Sequence, residues 1–269
     1  MARKWSKREE RTHREQLKRL YVRENKTITE VGKILNLADS SIFDRLRRLG
    51  IPTVRTRKIR FNNRRNDIVI PSNRSDELAE FFGIMLGDGC LTHYQVSVTL
   101  GSKEIAYAKY VQGLLQRIFG GQPRIAVLSR GHTVVYLGST LATGWLMREG
   151  LVRNKVKSQV DVPQWIYKSE SYMESFLRGF FDTDGSIYKL RFGVQISFTN
   201  HSLPILHSLH RMLKALGYKA STVSAYRVYL TRIPDVKRFF TSVKPGNPKH
   251  QRRFRDIMRR SYSGNYTRL

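Results

Sequence analysis

Phe81-Phe82-Gly83-Ile84-Met85-Leu86-Gly87-Asp88-Gly89 has a near-copy in Leu177-Arg178-Gly179-Phe180-Phe181-Asp182-Thr183-Asp184-Gly185, and the final aspartates are 96 positions apart. Each stretch is an apolar helix with a small residue, a second small residue four positions on, and then Asp-Gly. Residues four apart share one face of a helix. Gly83 with Gly87, and Gly179 with Thr183, therefore form smooth faces that let two helices approach closely. Gly89 and Gly185 suit helix C-caps. Packed side by side, the two helices would bring Asp88 and Asp184 together among carbonyl-rich helix ends. Like charges that close call for a cation between them. The pattern predicts a paired-carboxylate metal site built by duplication.

The duplication continues past the two stretches. Val96-Ser97-Val98-Thr99-Leu100 leads into an amphipathic run from Ile105 to Phe119, and Val194-Gln195-Ile196-Ser197-Phe198 leads into Leu203 to Leu216. Each run ends at glycine and a further strand-rich stretch. A period this long means two copies of one structural unit, not a solenoid. Alternation predicts strands over 95–100, 124–128, 133–137, 192–198 and 227–230. Their solvent faces carry Gln95, Ser97, Thr99, Gln195, Ser197 and Arg227, side chains suited to base edges in a groove that admits a β-ribbon. Cys90 is expected to pack against the first motif helix.

The 269 residues carry 49 Lys+Arg against 21 Asp+Glu, a formal charge of +28, and 40% hydrophobic content sufficient for a core. So large an excess points to a polyanion. Membrane insertion is excluded, because the longest apolar stretch, around Leu78 to Leu86, is far too short and contains Glu80. The charged start lacks a signal-peptide core, and a single cysteine permits neither an intrachain disulfide nor a cysteine zinc site. An intracellular setting, cytoplasmic or organellar, is expected.

Residues 1–75 hold +13 of the charge. They read as helices from Lys7 to Glu24, Ile28 to Asn36 and Ser40 to Leu49, with Asp39 or Ser40 as N-cap of the third. This resembles a helix-turn-helix DNA-binding domain. Ser41, Asp44, Arg45 and Arg48 lie on the third helix's outer face, where short polar residues and arginines suit bases and phosphates. A basic arm follows, with Arg55, Arg57, Lys58, Arg60, Arg64 and Arg65, of a kind that can track a DNA backbone or enter a minor groove. Ser75-Asp76-Glu77 then starts the first motif helix. The expected divisions are a helix-turn-helix domain at 1–52, a linker at 53–74, and repeats at 75–168 and 169–269.

The paired motifs resemble those of the LAGLIDADG homing endonucleases in their single-chain, two-motif form, over roughly Ser75 to the C-terminus. The resemblance implies an α+β fold of two pseudo-symmetric αββαββα units, with a β-saddle over DNA and the motif helices at the centre. It implies a site-specific endonuclease that cuts both strands of a long DNA target with Mg²⁺, with Mn²⁺ as a substitute and Ca²⁺ supporting binding without cleavage. Asp88 and Asp184 match the catalytic metal-binding acids, and Gly87 and Thr183 complete the metal set. Asp182, opposite the apolar Leu86 of the first copy, reads as structural. The polar residues the family carries after the following strand correspond to Gly101-Ser102-Lys103 and Thr199-Asn200-His201. Lys103, Lys189 and Lys249 are the candidates for catalytic support. Without the terminal residues of a self-splicing intein, the chain reads as a free-standing, monomeric enzyme. The same basic scaffold also fits a DNA-binding regulator that has lost cleavage, or a maturase that binds intron RNA.

Overall fold

The structure, a computed structural model, describes residues 6–24, 26–53, 65–128, 131–191 and 193–263, and the chain divides into two compact units at residue 60. Arg55, Arg57, Lys58, Arg60 and Arg64 of the basic arm, and Phe192 of a predicted strand, lie outside the described residues.

The first unit is helical. α1 (Lys7–Leu17) starts at a capping box in which Ser6 and Glu9 exchange hydrogen bonds, and it widens into a π-helical turn at Lys18–Arg23. α2 (Ile28–Leu35) starts at an equivalent box between Thr27 and Glu30, and Asn36 ends it in the left-handed conformation. α3 (Asp39–Arg48) follows at once, because a Cβ on Gly32 would stand 2.7 Å from the Leu37 carbonyl oxygen. The N-cap of α3 is Ala38, not the expected Asp39 or Ser40. Asp39 instead accepts a hydrogen bond of 2.7 Å from the Thr29 hydroxyl, tying α3 to α2. Leu17, Leu20, Tyr21, Val31, Ile42, Leu46, Leu49 and Ile51 form this unit's own core.

The second unit is built around α4 (Asp76–Leu86) and α8 (Glu170–Asp184). Ser75 caps α4 through the Leu78 amide at 3.1 Å. Every residue of α4 from Leu78 to Leu86 is buried, Glu80 included. The reason is close contact with α8. A Cβ on Gly83 would lie 2.2 Å from the Phe176 carbonyl oxygen, and one on Gly179 would lie 2.0 Å from that of Glu80. One on Gly87 would lie 2.0 Å from the Thr183 hydroxyl. Glu80 is tolerated in the core because the Tyr110 hydroxyl (2.7 Å) and Arg178 of α8 (3.3 Å) both donate to it.

After α4 come β1 (Gly89–Leu91), β2 (Gln95–Leu100), α5 (Ile105–Phe119), β3 (Arg124–Val127), β4 (Thr133–Gly138) and α6 (Thr140–Arg148). The strands form an antiparallel sheet in the order β1-β2-β4-β3. This is αββαββα. Only the two-residue turn Gly87–Asp88 separates α4 from β1, and the C-cap of α4 is Gly87, not the expected Gly89, which already starts the strand. With the period of two along β1, Leu91 is buried and Cys90 is exposed, on the opposite face from the one expected to meet the motif helix. A short helix, α7 (Lys155–Ser158), precedes α8.

The second copy runs α8, β5 (Gly185–Leu190), β6 (Gly193–Thr199), α9 (Leu203–Ala215), β7 (Arg227–Leu230) and α10 (Ile233–Ser242), then α11 (Pro248–Ser263). Its sheet, β5-β6-β7, has three strands, one fewer than expected. Where the fourth would pair, Ser221 N–H donates to the Tyr229 carbonyl at 2.9 Å, but Tyr229 N–H donates to the Ser221 side-chain oxygen. A side chain has taken a ladder position and the strand does not continue. No described helix is long and apolar enough to cross a membrane.

Because the backbone of each motif helix occupies the space a side chain would need on the other, Gly179→Ala should lower stability by about 3 kcal/mol. Chemical denaturation of the variant checks this; an unchanged midpoint would show that the helices can separate freely.

Candidate metal centre and nucleic-acid face

α4 ends at Leu86, where Gly87 N–H donates to the Gly83 carbonyl at 3.0 Å, and Asp88 stands in the turn beyond. α8 includes Asp184 as its last residue, and Gly185 donates to Phe181. Both aspartates thus leave the negative ends of helix dipoles, where unpaired carbonyls accumulate. The Asp184 Oδ2 accepts a hydrogen bond of 2.8 Å from Asn200 Nδ2, just past β6. Ser202 N–H fixes Asn200 by donating to its Oδ1 at 2.8 Å. The Lys155 ammonium donates to the carbonyls of Met85, at 3.1 Å, and Gly87. Gly87, Lys155, Asp184, Thr199, Asn200 and His201 line one concavity.

The electrostatics reflect crowding. Burial, then the charge of Asp88, pushes the Asp184 carboxyl up to about 6. Asp88 is raised chiefly by burial of its surroundings, although its residue surface remains exposed and water moderates the effect. Burial lowers the Lys155 ammonium, and the attraction of Asp184 and Asp88 opposes this. Both aspartates also feel Lys249, which pairs with Glu104 at 2.8 Å. Three carboxylates therefore face two ammonium groups, and the group has room for more positive charge.

The donor chemistry fits a hard divalent cation. Carboxylate and carbonyl oxygens are its preferred ligands, and the Gly87 carbonyl already attracts a cation, the Lys155 ammonium. Among the described residues no three His, Cys, Asp or Glu side chains form a cage. The chain supplies part of a shell, as suits an ion that retains water and takes phosphate oxygens.

Of the other sequence-predicted residues, Thr183 is buried against Gly87, with its hydroxyl donating to the Phe180 and Gly179 carbonyls at 3.0 and 3.2 Å. Lys249 pairs with Glu104, and its charge is felt by both aspartates. Lys103 stands on the exposed rim of a cleft of about 460 Å³ shared with Glu104, Lys249 and Arg252. Lys189 is exposed five residues along β5 from Asp184, about 16 Å at the rise of a strand, and is not brought to them. The outer rows of the sheets pair Cys90 with Ser97, Ser97 with Tyr136 and Tyr136 with Arg124 in the first copy. Thr99 faces Val134 and Gln95 faces Gly138. In the second copy Gln195 faces Tyr188, and Thr199 faces the exposed Arg227. Ser197 departs from the expected solvent face: it is 2% exposed, because Ser186 and Tyr229 flank its short side chain on the central strand. On α3, Asp44 and Arg48 are exposed while Ser41 and Arg45 are half-buried; Phe43 and Arg47, not singled out in the sequence, share the outer face.

Lys155 was also missed. The duplication could have found it: Asn154-Lys155 follows Asp88 as Asn247-Pro248-Lys249 follows Asp184, with the lysines 67 and 65 positions after the acids.

An acid whose folded-state value is raised favours the fold at low pH, and that contribution is lost as pH rises from the ordinary carboxylate range through the raised value. Asp184→Asn should therefore stabilise the metal-free protein above pH ~6, on the order of 1–3 kcal/mol after allowance for partial exposure. The gain should shrink through pH ~4 and vanish near pH ~3, where the carboxyl is protonated in both the folded and the unfolded state. Thermal melts in chelator across this range test it, and a pH-independent difference would count against carboxylate crowding.

Residues 171–243, from the first turn of α8 to just past α10, match the family model of a LAGLIDADG-like domain. The Replication factor C small subunit of Methanocaldococcus jannaschii is 29% identical over 119 residues, which are 44% of this chain and 6% of that protein. The chain thus spans a small part of that relative's length. Full-length WhiA from Thermatoga maritima is 17% identical, with 75% of this chain and 64% of that one covered at a TM-score of 0.49. The homing endonuclease I-WcaI, bound to its DNA recognition sequence, is 12% identical with 66% and 85% covered at 0.47. I-DmoI in complex with DNA and Mn is 16% identical with 64% and 97% covered at 0.43. The segment that matches the LAGLIDADG-like model is the one that carries the second Asp-Gly helix.

Proposed function

We propose that this chain is a site-specific endonuclease that hydrolyses both strands of a double-stranded DNA target with a divalent cation, Mg²⁺ first. The observation that carries the reading is the meeting of Asp88 and Asp184 at the ends of two glycine-packed helices, with Asp184 pushed up to about 6 by burial and by its twin. A pair of carboxylates in this state is costly to hold without added positive charge. Asp88, Asp184 and the Gly87 carbonyl would hold the cation. When bound, it would polarise the scissile phosphate and lower the pKa of an attacking water.

The remaining work falls to the chain's own residues. Asn200 orients the Asp184 carboxylate through Oδ2. Lys155 and Lys249 bring ammonium groups to the acids, where they can bind phosphate oxygens and stabilise charge developing on the phosphoryl group. The polar outer rows around Gln95, Ser97, Thr99, Gln195 and Arg227 suit base edges. The net charge of +28 supplies attraction to the backbone, and residues 1–75, with +13 of it, extend the interface through α3 and the basic arm. Site length and sequence preference then come from the sheets and α3, and chemistry from the helix ends.

One observation favours a second reading, a DNA-binding regulator without cleavage. Lys155 already donates to the Gly87 carbonyl and is attracted by both acids, so an internal cation could stand permanently where the metal would act.

Cleavage of a randomised plasmid library in Mg²⁺ separates the two. Asp88→Asn and Asp184→Asn should each reduce double-strand cleavage at least a thousandfold, roughly the size of such electrostatic contributions. DNA affinity in Ca²⁺ should stay close to that of the parent. Undiminished cutting by either variant would remove the assignment, and a parent protein that binds specific DNA but never cuts would favour the regulator. Deletion of residues 1–65 should shorten the footprint on one flank and flatten the salt dependence, by about 0.9 in log–log slope for each phosphate the protein no longer neutralises. An unchanged footprint and slope would assign the helical unit another role.

A further inference from the structure

Lys155 and Lys249 occupy equivalent places in the duplication but are held differently. Lys155 rests on the main-chain carbonyls of Met85 and Gly87, at the end of α4. Lys249, in the first turn of α11, has no equivalent seat. Its head group pairs with Glu104, which belongs to the other copy. Its backbone is set by Asn247, whose Oδ1 accepts the Lys249 N–H at 3.1 Å.

Asn247 is 1% exposed and joins the two halves of the molecule. Its Nδ2 donates to Glu104 Oε1 at 2.6 Å and to the Asp182 carbonyl at 3.1 Å. Its own N–H donates to Asp182 Oδ1 at 2.9 Å, while Gly246 N–H donates to Asp182 Oδ2 at 2.7 Å. Gly101 N–H pins the far oxygen of Glu104 at 2.7 Å. Asp182 is fully buried in α8, two residues before Asp184, so the network starts on the helix that carries the reactive acid.

We propose that Asn247 is a positioning residue. Anchored by Asp182 on one side and Glu104 on the other, it fixes both ends of Lys249 so that the ammonium reaches the paired aspartates. This rests on the endonuclease reading for its consequence, but not for its geometry. Lys155 needs none of these hydrogen bonds, so loss of Asn247 should disable one half of a duplicated centre and spare the other.

The experiment uses the full chain with a plasmid carrying its selected target. With Asn247→Ala, affinity for DNA in Ca²⁺ should change less than about twofold, whereas single-turnover cleavage of one strand should fall by roughly tenfold or more, since misplacement by about 1 Å costs up to a hundredfold. The other strand should be cut at nearly the parental rate, so nicked circles accumulate. Glu104→Gln keeps a single oxygen acceptor, so it loses either the Asn247 or the Gly101 hydrogen bond together with the charge that pairs Lys249, and it should slow the same strand. It serves as the test if Asn247→Ala does not fold. Equal slowing of both strands, or no slowing, would overturn the proposal. A second readout is independent of cleavage. After reductive ¹³C-methylation, the Lys249 resonance (assigned with Lys249→Arg) should move in both variants and the Lys155 resonance should not. An unmoved Lys249 would also overturn the positioning role. If Lys249 moves but the parent cuts no DNA, positioning stands and the endonuclease reading fails.

Discussion

The close approach of α4 and α8 is the constraint on which the second unit depends. Two backbones touch because Gly83 and Gly179 place no atoms between them, and each helix then serves as the other's core. That contact decides where the helices end relative to one another. It therefore decides that two aspartates, 96 positions apart in the chain, share one neighbourhood. The surrounding aromatic residues reinforce the arrangement: Phe181 packs edge-on against Phe198 and Phe239, with ring centroids 5.6 and 5.1 Å apart. Packing at this density transmits small displacements, so the geometry of the helix ends is inherited from the glycines beneath them.

The same contact creates an electrostatic cost at its tip. Burial raises both Asp88 and Asp184, repulsion from Asp88 adds to the rise at Asp184, and burial pushes the Asp182 carboxyl up to about 8 despite two amide donors. A protein selected for stability alone would place neutral residues there. Acids crowded together at such a position are what a binding centre for a cation requires. The charges of Lys155 and Lys249 offset part of the cost in its absence, and the two lysines occupy corresponding places in the duplication.

Much of this was legible in the sequence because it is written locally. The motif helices, the strand over 95–100 and the amphipathic run over 105–119 each show their period within one window. The failures have specific causes. β1 and β5 begin at glycines that also suit helix caps, and β1 has only three residues, too few to show alternation. Ser197 alternates correctly but is shielded by its neighbours across the sheet, which one strand's pattern cannot reveal. Lys155 sits in a four-residue helix with no period of its own. The Glu104–Asn247 bond spans 143 positions and leaves no trace in spacing.

Duplication within one chain also releases the halves from identity. Asp88 lies beyond its helix and Asp184 within it; one sheet has four strands and the other three; one lysine rests on carbonyls and the other on a carboxylate. A symmetric dimer could hold none of these differences, because each substitution would appear twice. On the proposed reading the two sheets face different bases, so the difference in their outer rows is the means by which a target without two-fold symmetry is read. The chemistry needs the opposite, two acids in equivalent places. The glycine contact reconciles the demands: it holds the helix ends in near-symmetry while the sheets and lysine supports diverge around them.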